Sequence, residues 1–436
     1  MKERGSLIAR NALWLILGRG LQCLLNLLAG TLTVRYLGPE NLGLLQYGAA
    51  YTAFFSSLCT LGIPSVLVKT LTDNPEEEGT VLGTALGMQG ASSLVSTLVI
   101  LGIVYAADGG DPVTVQITAL SCAAMGLRVL DTMHYWFQSR MCSRVTALAG
   151  LGAFGVTTLY KLALVVWKRP VLWFAAASGL DYGLLGLFLL WAYKRQGGRP
   201  LGFSREWCAR LLKSSCHFIL PGLLIAVYGQ TDRIMLKHMA GQAEVGYYAA
   251  AVSLCNGWCF VLNALIDAMY PEIARAHGKS KALFEKRNRQ LYGGIFYLSM
   301  GVSGMLWLLA EPLTVLLYGE SYRPGGAVLQ ILTWYTAFSY LGGARNAWVV
   351  CENRQKYLIW TYLAAAVSNV ALNLLLIPRF GAQGAAAASL AAQFASAVIA
   401  PWWIPGLREN VNLMVQAVLL KDLGRPGRKA KRRDLA

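Results

Sequence analysis

Residues 80–106 read TVLGTALGMQGASSLVSTLVILGIVYA, a run of 27 residues without one charged side chain. The hydrocarbon core of a bilayer is about 30 Å thick, and an α-helix needs about 20 apolar residues to cross it. The run therefore predicts a transmembrane helix. Across the 436 residues, 56% are hydrophobic and 14% are charged. Soluble domains average about 45–50% apolar and about 25% charged residues, so this composition argues against a soluble protein.

About a dozen such apolar stretches fill the chain, separated by short polar gaps, and each predicts one membrane span. The predicted spans lie at residues 11–36, 42–69, 80–106, 113–133, 145–167, 171–193, 214–238, 245–270, 290–317, 326–350, 357–378 and 382–406.

Lysine and arginine collect in alternate gaps between these spans. The gap after the sixth span carries Lys194, Arg195 and Arg199 among its basic residues, whereas the opposite gaps carry far fewer. The positive-inside rule then predicts a multi-pass protein of the cytoplasmic (inner) membrane with both termini in the cytoplasm. The net charge of +17 comes from basic residues beside the spans, where they meet anionic membrane lipids. We therefore expect those lipids as partners; nucleic acid is the weaker alternative.

A polar stretch at 194–213 (KRQGGRPLGFSREWCARLLK) separates six spans from six spans. It predicts an N-terminal lobe with its linker at 1–200, a C-terminal lobe at 201–406, and a short interfacial helix with a polybasic cytoplasmic tail at 407–436. Within the stretch, apolar residues recur at four-residue spacing: Phe203, Trp207 and Leu211. This spacing describes a short amphipathic helix in the cytoplasmic interface, and an irregular linker is the alternative.

The two halves repeat a turn. Residues 38–43 (GPENLG) follow the first span, residues 241–246 (GQAEVG) follow the seventh, and residues 381–384 (GAQG) begin the twelfth. Because six spans separate the first two turns, the repeats insert with the same orientation. The predicted fold class is an all-α polytopic membrane protein with about twelve transmembrane helices in two six-helix lobes around a central cavity. The alternative explanation of the repeat is that tight turns simply favour glycine.

The sequence has no phosphate-binding loop ending in Gly-Lys-Ser/Thr and no His-Glu-x-x-His motif. We therefore predict no catalytic residue, no metal site and no cofactor, and expect that the chain is not an enzyme.

Ionisable groups inside the spans are the candidate site residues, because an arginine at the centre of a membrane helix costs roughly 2.5–3.5 kcal/mol unless it faces a cavity or a partner. Arg19, Gln22 and Asn26 have spacings of three and seven and share one helix face. The alternative for Arg19 is a side chain that reaches the cytoplasmic interface. The full substrate-binding set is Arg19, Gln22, Asn26, Arg233, Arg345, Asn369 and Asn373. Such a basic cavity with amides suits an anionic, hydroxyl-rich ligand.

Several short motifs resemble those of one transporter family. They are residues 35–43 (RYLGPENLG), 61–64 (LGIP), 232–236 (DRIML) and 245–248 (VGYY), together with Pro271. Over nearly its whole length the chain is similar to the oligosaccharide and polysaccharide flippases of the Wzx type. Their superfamily also holds multidrug exporters and the lipid II flippase.

This resemblance implies that an undecaprenyl pyrophosphate carrier bearing a short oligosaccharide moves from the inner to the outer leaflet, with no bond cleaved. It also implies a lipid-linked oligosaccharide and other polysaccharide assembly proteins as partners. A headgroup with about two negative charges gains about 4–5 kcal/mol per 100 mV of membrane potential, enough to drive export. Asp232 or Asp267 as the site of a coupling cation is the alternative energy source.

The sequence is compatible with two other functions. A cation-coupled drug or metabolite antiporter of the same fold is expected to have a more acidic and aromatic cavity than this arginine-bearing one. A membrane glycan polymerase is less expected, because it needs an extracytoplasmic site and every outward gap in the chain is short.

Overall fold

The computed structural model describes the backbone of residues 2–420 and the side chains of residues 29–420 except residue 143. No strand occurs within residues 2–420. The α-helices are α1 Lys2–Thr60, α2 Pro64–Asp73, α3 Glu78–Ala107, α4 Pro112–Arg128, α5 Met133–Ser139, α6 Ser143–Val166, α7 Val171–Arg195, α8 Arg205–Ala240, α9 Gln242–Asn256, α10 Phe260–His277, α11 Lys281–Leu308, α12 Ala310–Tyr318, α13 Arg323–Leu332, α14 Tyr335–Cys351, α15 Leu358–Phe394, α16 Ala400–Trp403 and α17 Arg408–Val418. Short 3₁₀ segments at Pro75–Glu77, Val129–Thr132, Glu320–Tyr322 and Gln355–Tyr357, and a π turn at Ala395–Ile399, complete the order.

Two of the long helices are broken by glycine. Gly38 has φ 70° and ψ 170° inside α1, and Gly381 has φ 53° and ψ −130° inside α15. A positive φ costs glycine little, so the chain turns at these residues and starts a new span. Each of these two helices therefore covers one predicted span and the first part of the next, which ends in the elements that follow.

Among the residues whose side chains are described, eight helices are long and apolar enough to cross a bilayer. The pair α9 and α10, bent by 43°, counts as a ninth if it forms one span. When α1 and α15 are divided at their glycines, and α2, α5, α10, α12, α14 and α16 are each joined to the helical piece before them, the helices from Lys2 to Trp403 form twelve segments, and α17 follows them. The segments follow the twelve predicted spans in order.

Backbone contacts divide the described chain into two compact units. Unit 1 comprises the residues up to 250 with 313–325, and unit 2 comprises 251–312 with the residues from 326. The predicted lobe boundary near residue 200 stays a prediction.

The core of unit 1 corrects one expectation about the polar linker. Ser204 caps α8 by accepting a hydrogen bond from the Trp207 backbone N–H, and the helix then runs unbroken to Ala240. Residues 205–213 therefore belong to the same helix as the seventh span and do not form a separate interfacial helix. Trp207 and Leu211 are buried in a core with Trp136 and Tyr193. They pack inward because α2, α3 and α8 converge there, a long-range contact that four-residue spacing cannot reveal.

The core of unit 2 includes the last described helix. The short helix predicted within 407–436 is present as α17, and one face of it is buried against α11 and α14. Val411, Leu413 and Met414 are buried on that face, and the Asn410 amide donates to the Tyr292 hydroxyl at 2.6 Å. The helix is therefore a packed element of unit 2.

Candidate functional site

The two repeated turns of unit 1 pack against each other through their glycines. A Cβ placed on Gly43 would lie 1.9 Å from the carbonyl oxygen of Gln242, and a Cβ on Gly246 would lie 2.0 Å from that of Pro39. Gly38 and Gly241, the first residues of the two turns, share a positive φ with ψ near 170°. Equivalent residues of the two sequence repeats therefore make reciprocal backbone contacts, which only glycine permits at this separation.

A buried ion pair lies at the end of α8. Lys237 Nζ is 2.7 Å from Asp108 Oδ1, and each side chain is only 8% exposed. Tyr47 donates its hydroxyl proton to Asp108 Oδ2 at 2.8 Å, and Lys237 Nζ lies 4.0 Å from the centre of the Tyr47 ring. Thr114 accepts a further bond from Lys237 at 3.3 Å, and His238 Nε2 lies 2.9 Å from the Tyr47 hydroxyl. These contacts satisfy charges that are costly to bury alone, and they fasten α8 to α1 and to the α3–α4 turn.

Asp232 and Arg233 lie one turn earlier on α8 and have different partners. Asp232 is 2% exposed and accepts a hydrogen bond from the Tyr248 hydroxyl at 2.6 Å. Arg233 donates from Nη1 to Gln230 Oε1 at 2.5 Å, while its buried Nε has no hydrogen-bond partner among the described residues. One N–H group of Arg233 is therefore not satisfied by any described residue, and the role of Arg233 as a substrate ligand stays a prediction.

Unit 2 holds the other candidate residues in its interior. Arg345 is 1% exposed and donates to the Ser396 carbonyl at 3.1 Å and to Thr361 Oγ1 at 3.4 Å. It thereby joins α14 to α15 and to the π turn, an irregularity that often accompanies function. Asn369 and Asn373 are fully buried on α15 and bonded to each other at 3.1 Å. A ligand reaches these groups only if the helices rearrange, and their role as substrate ligands stays a prediction.

Asp267 is exposed on α10, on the same helix face as Asn263. Asn263 donates to the Tyr340 hydroxyl at 3.3 Å. Charged side chains within membrane spans almost always face a protein interior or a water-filled space, so Asp267 is expected to point away from lipid. Its coupling role, like that of Asp232, stays a prediction.

The remaining candidates, Arg19, Gln22 and Asn26, lie on α1, but their side chains are outside the described residues. Their shared helix face stays a prediction from spacing alone.

Only one side of the buried ion pair is visible in the sequence. Lys237 and His238 stand out as polar residues at the end of a span, whereas Asp108 lies 129 residues away in a short gap. A gap carboxylate is usually solvated, so no local pattern marks Asp108 as the partner of Lys237.

Comparison with known proteins adds a sequence match and several structural ones. The family model described as "Polysaccharide biosynthesis protein" matches residues 8–277. No curated protein sequence matches the chain significantly.

Three solved structures share the fold. The lipid II flippase MurJ in its inward closed conformation aligns with a TM-score of 0.71 at 12% identity, covering 95% of this chain and 94% of MurJ. An inward-facing MATE multidrug resistance transporter aligns with a TM-score of 0.66 at 15% identity, covering 91% and 96%. A MOP superfamily transporter from Pyrococcus furiosus aligns with a TM-score of 0.64 at 15% identity, covering 94% and 96%. These likenesses confirm the all-α polytopic membrane fold with about twelve helices in two lobes.

Proposed function

The chain belongs to the polysaccharide biosynthesis protein family, and from this premise we propose that it is a flippase for lipid-linked oligosaccharides. It carries an undecaprenyl-pyrophosphate-linked oligosaccharide from the inner to the outer leaflet of the cytoplasmic membrane, by alternating access, for export of a cell-surface polysaccharide. Both termini face the cytoplasm, and no chemical bond is cleaved. No cofactor is required.

The observation that carries the proposal is the state of Arg233. Its guanidinium lies inside a membrane span with one buried N–H unpartnered among the described side chains. A guanidinium fork matches phosphate oxygens in two-pronged geometry. Desolvating such a group without a ligand is expensive, so an arginine at this position is best explained by an anionic headgroup that pairs with it.

The direction of transport follows from the charge of the cargo. A pyrophosphate with about two negative charges leaving a negative interior gains about 4–5 kcal/mol per 100 mV. The potential alone therefore supplies the driving force, and Arg19, Gln22 and Asn26 meet the headgroup from the cytoplasmic side. Arg345, Asn369 and Asn373 contribute once the helices of unit 2 rearrange.

The second candidate is a cation-coupled drug or metabolite antiporter of the same fold. It is favoured by Asp267, an exposed carboxylate within a span, and by Asp232, a buried one bonded to Tyr248. A carboxylate that exchanges a proton or sodium ion for the cargo uses this chemistry. The two functions differ in whether cargo movement depends on these acids or on the arginines.

Complementation separates the two candidates. The chain is expressed in a host that lacks its own oligosaccharide flippase, and outer-leaflet glycan is measured with a membrane-impermeant lectin. Losing one charge-assisted hydrogen bond costs about 1.5–3 kcal/mol, so we expect Arg233→Ala and Arg19→Ala to lower export by at least about tenfold. Arg233→Lys and Arg19→Lys should retain part of the export, because the positive charge remains while the planar fork is lost.

Arg195→Ala is the matched control, because Arg195 stacks on Trp191 at the end of α7, outside the proposed site. It should export at the wild-type level. Full export by Arg233→Ala and Arg19→Ala together with loss of export in Asp267→Asn would instead support the antiporter. A set of glycosyltransferase genes beside the coding sequence would favour the glycan cargo.

A further inference from the structure

A polar cavity of about 230 Å³ lies within unit 1, where two interrupted helices meet α3. The break between α1 and α2 contains Leu61 and Gly62, both with positive φ (52° and 66°). The second break is the 3₁₀ turn Val129–Thr132 between α4 and α5. At membrane depth, irregular backbone persists only where protein buries it or where it lines a polar cavity. Two breaks at one cavity are the arrangement that transporters use to build polar sites.

The lining of this cavity is rich in hydrogen-bonding groups. Arg128 and Asp131 supply one positive and one negative charge, and no ion pair involving either is present among the side chains of residues 29–420. The neutral polar groups that line it are Ser56, Thr60, Gln89, Thr132 and Tyr135. The guanidinium of Arg128 lies 5.5 Å from the centre of the Tyr182 ring.

Gln89 indicates that the lining is incomplete without a ligand. Its side chain is 2% exposed, and its Oε1 accepts a hydrogen bond from Thr132 Oγ1 at 2.6 Å. Its Nε2 has no hydrogen-bond partner among the described residues. Exchanging the amide O and N leaves the other end unpartnered, so one end of this buried amide lacks a bond in either assignment. A buried polar group without a partner costs about 1–3 kcal/mol, and a ligand in the cavity would remove that cost once the Gln89 side chain turns its free end toward the cavity.

We propose that this cavity binds one sugar ring of the carried oligosaccharide, an inference that rests on the proposed function. The single carboxylate of Asp131 offsets Arg128 and would repel a phosphate, whereas sugar hydroxyls donate to a carboxylate and accept from a guanidinium. The Gln89 amide and the neighbouring hydroxyls do both. A volume of about 230 Å³ is below the roughly 300–1,000 Å³ of pockets for drug-sized ligands, so it suits one ring instead of a whole oligosaccharide.

The cavity would act separately from Arg233. It lies in the half of its helices that is predicted to face the cytoplasm, the side on which the lipid-linked substrate is loaded. Recognition of one sugar there selects the glycan, and the arginine contacts recognise the pyrophosphate common to all such carriers.

The test measures sugar binding without transport. The purified full chain in lipid nanodiscs is mixed with the methyl glycosides of glucose, galactose and N-acetylglucosamine, and saturation-transfer NMR detects weak binding. We expect transfer to at least one glycoside, and an apparent Kd raised about tenfold in Arg128→Gln and Gln89→Leu. Thr60→Val, which removes one lining hydroxyl at nearly constant volume, serves if Gln89→Leu does not fold. Arg195→Gln and Gln138→Leu, both outside the lining, should bind like the wild type.

Three results would overturn the inference: no transfer to the folded wild type, equal transfer in the cavity variants, or displacement of the glycoside by inorganic pyrophosphate. The last would identify an anion site. Failure of this inference remains distinguishable from failure of the proposed function. Glycan export that depends on Arg233, without glycoside binding, rejects the sugar cavity alone. Glycoside binding without any export in the complementation assay rejects the flippase and leaves the cavity.

Discussion

Gly43 and Gly246 face each other's turns so closely that neither has room for a side chain. Added Cβ atoms would meet the carbonyl oxygens of Gln242 and Pro39 at 1.9 Å and 2.0 Å. The obstacles are backbone atoms, which cannot rotate away as a flexible side chain would. Because the two glycines are equivalent in the sequence repeat, the contact has an approximate two-fold symmetry. It joins the start of the second span to the start of the eighth.

Gly43→Ala is therefore expected to separate the two turns and to destabilise the protein. Overpacking a close contact typically costs about 1–3 kcal/mol. The measurement is the melting temperature of the purified protein in detergent, followed by export in the complementation assay. Gly102→Ala is the control, since a Cβ at Gly102 meets nothing within 4 Å. Equal melting temperatures for the two variants would show that the turns do not pack as described.

The buried pair Lys237 and Asp108 gives a second prediction. Removing one partner of a buried pair leaves an uncompensated charge and costs about 3–5 kcal/mol. Lys237→Met and Asp108→Leu should each lower the melting temperature strongly, and the double variant should recover part of the loss because no lone charge remains. Glu320→Gln is the control, because its pair with Arg323 is exposed and such pairs contribute about 0–1 kcal/mol. A double variant no more stable than either single one would argue against a direct pairing.

The sequence predicted the spans well because their signal is local. The predicted span 171–193 corresponds to Val171–Arg195, and 80–106 corresponds to Glu78–Ala107. The predicted glycine turns at Gly38 and Gly381 are also present, since their residue type reflects the backbone they require.

The cavity and the Lys237–Asp108 pair could not be predicted from the sequence, because both depend on which helices pack together. The 3₁₀ turn at Val129–Thr132 contains neither glycine nor proline, so tertiary packing and not residue type interrupts that helix. Likewise, Gln89 and Thr132 are 43 residues apart. Spacing identifies which residues share a helix face, but it does not show which helices come together.

Contacts between two of the gaps support a prediction about which side of the membrane they face. Arg199 donates to the backbone carbonyl of Glu76 at 2.6 Å, and the linker packs on Gly79. The gaps after the second and sixth spans therefore lie on the same side of the membrane. Reporter fusions after Asn74, Gly198 and Lys281 should all be inactive with a periplasmic-type reporter, as the positive-inside rule requires. Activity at Asn74 but not at Gly198 would contradict the contact, and activity at all three would reverse the orientation.

The C-terminal segment after α17 is expected to be dispensable for transport. Residues 421–436 lie beyond the last predicted span and outside the described residues, and their polybasic sequence is expected to serve only lipid contact. Truncation after Lys421 should therefore leave glycan export and protein abundance unchanged.

Truncation after Leu407 is the matched comparison, because it also removes α17. That helix buries Val411 and Met414 in the core of unit 2 and bonds Asn410 to Tyr292. Burying one such apolar side chain contributes about 1.5–3 kcal/mol, so the shorter chain should be depleted from the membrane. Immunoblotting of membrane fractions beside the lectin assay distinguishes the two effects. Loss of export from a stably inserted chain ending at Lys421 would show that the basic tail takes part in transport, since α17 and its packing remain in that variant.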